Sequence, residues 1–285
     1  MKFNKVNNLA CPIDGLNLDI YDKQWVCANG HTFDIARQGY VNLLPVQQKR
    51  SKHPGDSKAM VVARTHFLDS GFYQPLADKI SAVVEMLTMG NTNLCLLDAG
   101  CGEGYYLNYL CKTLSQSTQD MSLSLVGLDI SKEAIIQSSK RNKDITWVVG
   151  TNRQPPIVES SVDIILCVFG FVSFDGFNKV LKPGGKLILV DPGPDHLQEL
   201  REIIYKKTKP SDTENGKALD TNVFSLINSQ QCTFKTGNIN NKDINNLLIM
   251  TPHLFRASKE GKQLAATLEK LDLTVDVNIK TLVKQ

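Results

Sequence analysis

The stretch Leu97-Asp98-Ala99-Gly100-Cys101-Gly102-Glu103-Gly104, residues 97–104, decides the fold class of this chain. The apolar run 94–97 leads into it and has the pattern of a buried parallel strand. Three glycines at alternate positions allow a sharp turn and a close approach of the backbone to a ligand. A helical pattern follows over residues 105–114. A strand, a glycine loop and a helix in this order predict a nucleotide-type binding site.

Two acidic side chains in this stretch indicate which ligand the loop receives. Dinucleotide sites prefer the spacing G-x-G-x-x-G, with bare backbone N–H groups facing a pyrophosphate, whereas here the third glycine comes one position early. Asp98 at the strand tip and Glu103 inside the loop would repel a pyrophosphate and attract a cation. S-adenosylmethionine, with its ammonium and sulfonium and no phosphate, fits better than NAD. A relic that has lost its ligand is the third interpretation.

Further apolar runs place polar groups at the same edge of the predicted sheet. Residues 125–129 end at Asp129, where a carboxylate would accept both ribose hydroxyls. Residues 146–150 end just before Asn152, which would hydrogen-bond an adenine edge. Runs at 162–168 and 186–190 complete a doubly wound α/β sheet with a crevice at the strand tips.

Two more side chains complete the predicted cofactor site. Tyr73, at a helix junction ahead of the glycine loop, would either pack in the core or reach the methionine tail of the cofactor. His196 follows the fifth strand, and either caps a helix or binds the cofactor's carboxylate. The candidate cofactor-binding residues are Tyr73, Asp98, Gly100, Gly102, Glu103, Asp129, Asn152 and His196.

Residues 9–34 have a different pattern, that of two turn-like knuckles flanking a short hairpin. A zinc ribbon has this layout, with two ligands from each knuckle. The candidate metal ligands are Cys11, Asp14, Cys27 and His31. A thiolate would bind zinc more strongly than the carboxylate of Asp14. Three outcomes are open: a four-ligand zinc site, a weaker site of three ligands and water, and a ribbon that has lost its metal.

Length and composition bound the architecture and the location. The chain has 285 residues, enough for one large domain and a small one. It contains no apolar run of about 18 residues, so the sequence predicts no membrane span. Residues 1–8 lack the apolar segment of a signal peptide. Seven cysteines, an odd number in scattered contexts, fit a reducing cytoplasm.

Positive charge is concentrated at the N-terminal end. Residues 1–65 hold nine Lys or Arg against five Asp, whereas the remainder is close to neutral. A basic N-terminal region either binds nucleic acid or only increases solubility. The cluster Lys49, Arg50 and Lys52 would contact phosphates or form a lid over the cofactor; the alternative is a solvated, mobile linker.

Several segments taken together identify a protein family more specifically than the glycine loop alone does. Through them the chain resembles the bacterial large-subunit ribosomal RNA guanine-N1 methyltransferases of the RlmA/RrmA type, which include tylosin-resistance relatives. The resemblance covers nearly the whole chain. The segments are 30–34 (Gly-His-Thr-Phe-Asp), 39–47 (Gly-Tyr-Val-Asn-Leu-Leu-Pro-Val-Gln), 54–57 (Pro-Gly-Asp-Ser), 67–76 (Phe-Leu-Asp-Ser-Gly-Phe-Tyr-Gln-Pro-Leu), 100–106 (Gly-Cys-Gly-Glu-Gly-Tyr-Tyr), 192–194 (Pro-Gly-Pro) and 250–252 (Met-Thr-Pro).

The resemblance implies an α/β fold with a Rossmann-like class I S-adenosylmethionine-dependent methyltransferase sheet and a small N-terminal zinc-ribbon-like β module. It implies cofactor contacts at Tyr73, Gly102, Glu103 and His196, large-subunit ribosomal RNA as the partner, and pairing as a homodimer. We expect a zinc-ribbon-like RNA-recognition module at 1–37, a linker and helical lid at 38–90, and the methyltransferase domain at 91–285. This chain departs from the family at two places: it has Asp14 where the family has a second Cys, and Phe169-Gly170-Phe171 where the family usually has an aromatic residue, a small residue and proline.

The expected reaction transfers a methyl group to N1 of a guanine in ribosomal RNA. Asp56 would act as the base for the N1 proton or cap a helix; proton loss to solvent is the alternative. Phe169 or Phe171 would stack on the extruded base or pack in the core. The rival functions are a small-molecule methyltransferase and a catalytically inactive RNA-binding relative.

Overall fold

A computed structural model describes residues 2–49, 51, 53–116, 122–205, 222–251 and 257–285. The strands in this part of the chain are β1 (Lys2–Asn4), β2 (Leu18–Tyr21), β3 (Gln24–Cys27), β4 (Thr32–Asp34), β5 (Tyr40–Asn42), β6 (Asn93–Ala99), β7 (Ser122–Asp129), β8 (Thr146–Val149), β9 (Val162–Val168), β10 (Leu181–Pro192), β11 (Phe224–Asn240) and β12 (Lys270–Lys284). The helices are α1 (Lys58–Asp69), α2 (Gln74–Thr88), α3 (Tyr105–Ser115), α4 (Lys132–Arg141), α5 (Phe174–Val180), α6 (Gln198–Ile204), α7 (Asn241–Met250) and α8 (Lys259–Thr267).

One large mixed sheet carries the candidate site. Its strand order is β11-β12-β10-β9-β6-β7-β8-β5, with β1 also paired to β7. The strands from β10 to β5 run parallel, and the β10–β12 and β11–β12 pairs are antiparallel. The chain winds outward from β6 through β7 to β8 and then returns to β9 beside β6. This reversal opens a crevice at the carboxyl edge between β6 and β9, as the predicted doubly wound fold requires.

The N-terminal module is tied into the large sheet at both of its ends. Strands β2, β3 and β4 form a separate antiparallel sheet. The preceding strand β1 pairs with β7, and the following strand β5 pairs with β8. Cys11, Trp25 and Cys27 pack in the same apolar cluster as Leu97 and Val126 of the large sheet. The ribbon therefore shares a core with the sheet, and a domain boundary at residue 37 stays a prediction.

The C-terminal region is more regular than its sequence pattern indicates. The sequence predicts a mobile insertion with weak patterning over 206–245 and a strand only around 231–236. Residues 206–221 lie outside the described part of the chain, but β11 alone spans 17 residues. Its partner β12 is a 15-residue strand with a largely buried core, and this pairing overrides the weak local propensity of β11.

Among the described helices, none has the length and apolar character needed to cross a membrane.

Candidate functional site

The glycine loop after β6 takes a backbone conformation that only glycine adopts readily. Gly100, Gly102 and Gly104 have φ values of +88°, +55° and +84°, where a Cβ is sterically unfavourable. The amides of Gly100 and Cys101 donate to the Leu128 carbonyl at 2.8 and 3.0 Å. The loop is thereby fixed to the tip of β7, and its open side faces the crevice.

Trp147 fills the space beneath this loop. Its indole is 1% exposed and donates to the Asn142 carbonyl at 2.8 Å. A Cβ placed on Gly104 would lie 2.7 Å from the ring, and one placed on Gly127 would overlap it. Trp147 therefore restricts both positions to glycine, together with Ser138 at Gly104, where the added Cβ would also lie 2.7 Å from the Ser138 Cβ. No local sequence pattern reveals this role.

Asp98, near the end of β6, has a buried carboxyl group that is not fully hydrogen-bonded. It is 2% exposed, and its Oδ1 has no hydrogen-bond partner among the described residues. Burial, together with the neighbouring Asp129 carboxyl group, raises the pKa of Asp98 to about 8. A buried carboxyl group of this kind is stabilised in its charged form by a cation placed against it. This part of the crevice fits a positively charged ligand.

Asp129 ends β7 and faces the same loop. Its Oδ2 accepts from the Gly102 amide at 2.9 Å, and its Oδ1 accepts from the Ser131 amide at 2.7 Å. Burial raises its pKa, and these two hydrogen bonds act in the opposite direction. Each carboxylate oxygen keeps a second lone pair, so the group can also accept from a diol, as predicted for the ribose.

Glu103 lies inside the protein rather than along the open crevice. It is 1% exposed, and its Oε2 accepts from Arg141 Nε at 2.5 Å. Arg141 also donates to Asp69 at the end of α1, at 2.8 Å. Burial raises the pKa of Glu103, and Arg141 lowers it. The carboxylate thus ties the glycine loop to α1 and α4, and its contact with a cofactor stays a prediction.

The turn after β9 borders the glycine loop. Asn152 donates to the Phe171 carbonyl at 2.8 Å, and a Cβ on Gly100 would lie 3.5 Å from Gly170 Cα. Phe169 has φ of 51° and is 40% exposed, and Phe171 is 56% exposed. Their exposure excludes core packing and leaves both rings available at the sheet edge.

The side chains of Tyr73 and His196 lie close to each other. Tyr73 is buried, with its ring centroid 6.4 Å from that of His196. The His196 ring also lies 5.7 Å from Phe169, and its Nδ1 accepts from the Asp276 amide at 3.3 Å. That bond favours the neutral tautomer with the proton on Nε2.

The four predicted metal ligands form a cluster in the N-terminal module. One ligand atom from each of Cys11, Asp14, Cys27 and His31 can be chosen so that all lie within 4.8 Å of one another. His31 Nδ1 is 3.0 Å from Asp14 Oδ2 and 3.4 Å from Cys27 Sγ. Two sulfurs, one imidazole and one carboxylate are a donor set that zinc accepts in tetrahedral geometry. The residues present therefore fit a zinc ion.

We expect purified protein to contain about one zinc ion per chain. The substitution Asp14→Cys should tighten zinc binding by about tenfold or more, because thiolate is the softer ligand, and His31→Ala should weaken it. Competition with a chromogenic chelator measures both changes. Asp19→Cys, at an exposed acid of the same module, is the matched control and should leave the affinity unchanged. Folded protein that stays zinc-free even with Asp14→Cys would contradict the assignment.

Comparisons with known proteins match both parts of the chain. The family model described as RlmA, N-terminal, matches residues 9–52, and a methyltransferase-domain model matches residues 96–185. The 23S rRNA (guanine(748)-N(1))-methyltransferase of Streptomyces fradiae is 33% identical over 72% of this chain and 70% of its own length. YxjB of Bacillus subtilis (strain 168), which carries a provisional 23S rRNA (guanine-N(1)-)-methyltransferase name, is 30% identical over 94% of both chains. A SAM-dependent methyltransferase structure from Aquifex aeolicus superposes with a TM-score of 0.47, at 15% identity over 80% of this chain and all of its own.

Proposed function

The chain belongs to the family of bacterial 23S rRNA (guanine-N1)-methyltransferases, and we propose that it methylates N1 of a guanine in large-subunit ribosomal RNA with S-adenosylmethionine as the methyl donor. The observation that carries this proposal is the 30% identity over 94% of the chain, which spans the zinc-ligand cluster and the crevice together. A small-molecule methyltransferase would need the crevice but not the ribbon.

The crevice residues have distinct roles in this proposal. When bound, S-adenosylmethionine supplies a methyl group on a positively charged sulfur. Asp98 provides negative charge in a buried setting, Asp129 accepts from the ribose, and Asn152 contacts the adenine edge. Gly100 and Gly102 let the backbone approach, and Tyr73 and His196 border the methionine tail. These residues align the donor and exclude water, which an in-line displacement needs more than acid–base catalysis.

Phe169 and Phe171 are the candidates for holding the target base. Both rings are exposed beside the glycine loop, and the Arg153 guanidinium lies 4.6 Å from the centroid of Phe171. An extruded guanine would stack on such a surface. Its N1 proton passes to solvent in this proposal, because Asp56 is neither a free base nor the helix cap. Asp56 is ion-paired with Arg64, and the cap of α1 is Ser57.

We propose that residues 1–37 recognise RNA and that residues 38–90 form a linker and a helical lid. Residues 91–285 form the methyltransferase domain, which catalyses the reaction. Of the basic cluster, Lys49 is exposed, and Arg50 and Lys52 lie outside the described residues. Phosphate contact by this cluster would make RNA affinity fall steeply with salt. The resemblance supports homodimers, and a ribosomal RNA substrate supports a cytoplasmic location.

Primer extension on 23S ribosomal RNA tests the function. A methyl group on guanine N1 blocks the pairing edge, so reverse transcriptase should stop one nucleotide before it. The stop should vanish in a strain lacking the protein and return when purified protein and S-adenosylmethionine are added to the unmodified RNA. Identical stops in both strains, with no methyl transfer in vitro, would contradict the proposal.

Cofactor binding should release a proton near neutral pH. With a pKa of about 8, Asp98 is about 90% protonated at pH 7 in the free protein, and a bound cation favours its ionised form. Affinity should therefore rise with pH up to about 8, with about one proton released at pH 7. Titration calorimetry in buffers of different ionisation enthalpy measures this number. Asp98→Asn should release none, and equal release from both proteins would contradict the role of Asp98.

A further inference from the structure

Arg64 of α1 places a guanidinium group directly over the glycine loop. A Cβ built on Gly102 would lie 3.6 Å from Arg64 Nη1 and 3.9 Å from its Cδ. Arg64 Nη2 donates to the Met250 carbonyl at 3.0 Å, and Nη1 is paired with the Asp56 carboxylate. The side chain is 25% exposed. A guanidinium carries five N–H donors, so these two partners leave it able to bind a further acceptor.

The charge around the loop shows why a cation at this place matters. Asp98 and Asp129 lie beside the loop and suit an ammonium or a sulfonium, whereas Glu103 is buried and paired with Arg141. A ligand that also carries a carboxylate would be repelled by Asp98 and Asp129 unless a cation compensated for them. Arg141 is already shared between Glu103 and Asp69. Arg64 is the other described arginine at the loop.

Tyr106, in the first turn of the helix after the glycine loop, adds an unsatisfied donor. Its hydroxyl is buried and has no hydrogen-bond partner among the described residues. Burial, with Tyr73, Tyr105 and Glu103, raises the pKa of Tyr106, and the positive charge of Arg64 acts against that rise. Tyr106 is the second residue of α3, which begins directly after Gly104, so this hydroxyl belongs to the helix that follows the loop. A buried hydroxyl without a partner costs free energy, which an entering acceptor would recover.

We propose that Arg64 binds the α-carboxylate of the methionine portion of S-adenosylmethionine, with the Tyr106 hydroxyl as a second donor. The proposal rests on the proposed function, because it takes the identity of the cofactor from it. It assigns the carboxylate to Arg64 instead of His196, the sequence-based candidate. A guanidinium is suited to this task because its planar fork matches a carboxylate.

Two ligands that differ only in the carboxylate test the assignment: S-adenosylmethionine and its decarboxylated analogue. The wild-type protein should prefer S-adenosylmethionine by about 10- to 100-fold, as expected for hydrogen bonds to a charged group. Arg64→Gln should lose most of that preference by binding S-adenosylmethionine more weakly, with the affinity for the analogue unchanged. Arg64→Lys, which keeps the charge but not the fork, should fall between them. Lys58→Gln, an exposed position at the start of the same helix, is the matched control.

The outcomes separate the possible causes. An undiminished preference in Arg64→Gln would overturn the assignment and return the carboxylate to His196. Equal weakening of both ligands would also overturn it, because Arg64 would then act only through the structure of α1. If thermal unfolding shows that Arg64→Gln is not folded, Arg64→Lys and Tyr106→Phe must each reduce the preference, and an unchanged ratio in either variant overturns the proposal. A wild-type protein that binds neither ligand would instead refute the proposed function.

Discussion

Replacing Gly102 with arginine is expected to lower the affinity of this protein for S-adenosylmethionine by at least about 100-fold. Gly102 has φ of +55°, and the space where a side chain would begin opens toward the Arg64 guanidinium, 3.6 Å away. A second guanidinium there would occupy the mouth of the crevice and repel both Arg64 and a cationic ligand. Titration calorimetry with purified protein measures the loss.

Gly90→Arg is the matched control for this experiment. Gly90 lies in the turn after α2, has a comparable φ of +77°, and a Cβ at this position would meet no heavy atom within 4 Å. The same side chain in a similarly strained conformation should leave cofactor affinity unchanged. Unaltered affinity in Gly102→Arg, with correct folding, would show that the methyl donor does not bind at the glycine loop.

Gly127→Ala should reduce the free energy of unfolding by about 2 to 3 kcal/mol, the cost of overpacking a tight core. The new methyl group would overlap the six-membered ring of Trp147 and come within 3.2 Å of Cys101 Sγ. Both neighbours are buried, so neither can move aside into solvent. Urea unfolding, followed by tryptophan fluorescence and circular dichroism, measures the change.

A double-mutant cycle identifies the cause of that loss. If the overlap with Trp147 is responsible, combining Gly127→Ala with Trp147→Phe should cost at least about 1 kcal/mol less than the sum of the single changes. Ser124→Ala, on the same strand, should stay within about 0.5 kcal/mol of the wild type. Additive effects in the cycle would mean that Trp147 does not set the requirement for glycine.

The parts of the fold that depend on local pattern were predictable from the sequence. The apolar runs before Asp98 and Asp129 identify strands, because burial on both faces of a parallel sheet demands continuous apolar residues. The alternation of apolar and polar residues over 273–279, within β12, also identifies a strand. Because the carboxyl ends of parallel strands meet at one edge, the convergence of their polar side chains followed from the order of elements.

The parts that depend on long-range partners were not predictable. Glu103 has the local pattern of a cofactor contact, but its partner Arg141 lies 38 residues away on another helix. No local sequence pattern distinguishes Arg64 from other basic residues. Its position over Gly102 depends on how α1 packs against the loop. The residues around Trp147 identify a strand in the sequence. The contact of its ring with Gly104 and Gly127 is visible only in the three-dimensional structure.

The pairing of β1 and β5 with the large sheet restricts how the ribbon can move relative to the crevice. The ribbon enters and leaves through strands of the same sheet that forms the crevice. Its separation from the methyl donor is thus set by hydrogen-bonded backbone rather than by a flexible tether. If the ribbon binds RNA as proposed, it would hold the RNA at a fixed distance from the methyl donor, and transferring the ribbon to another methyltransferase would change that distance.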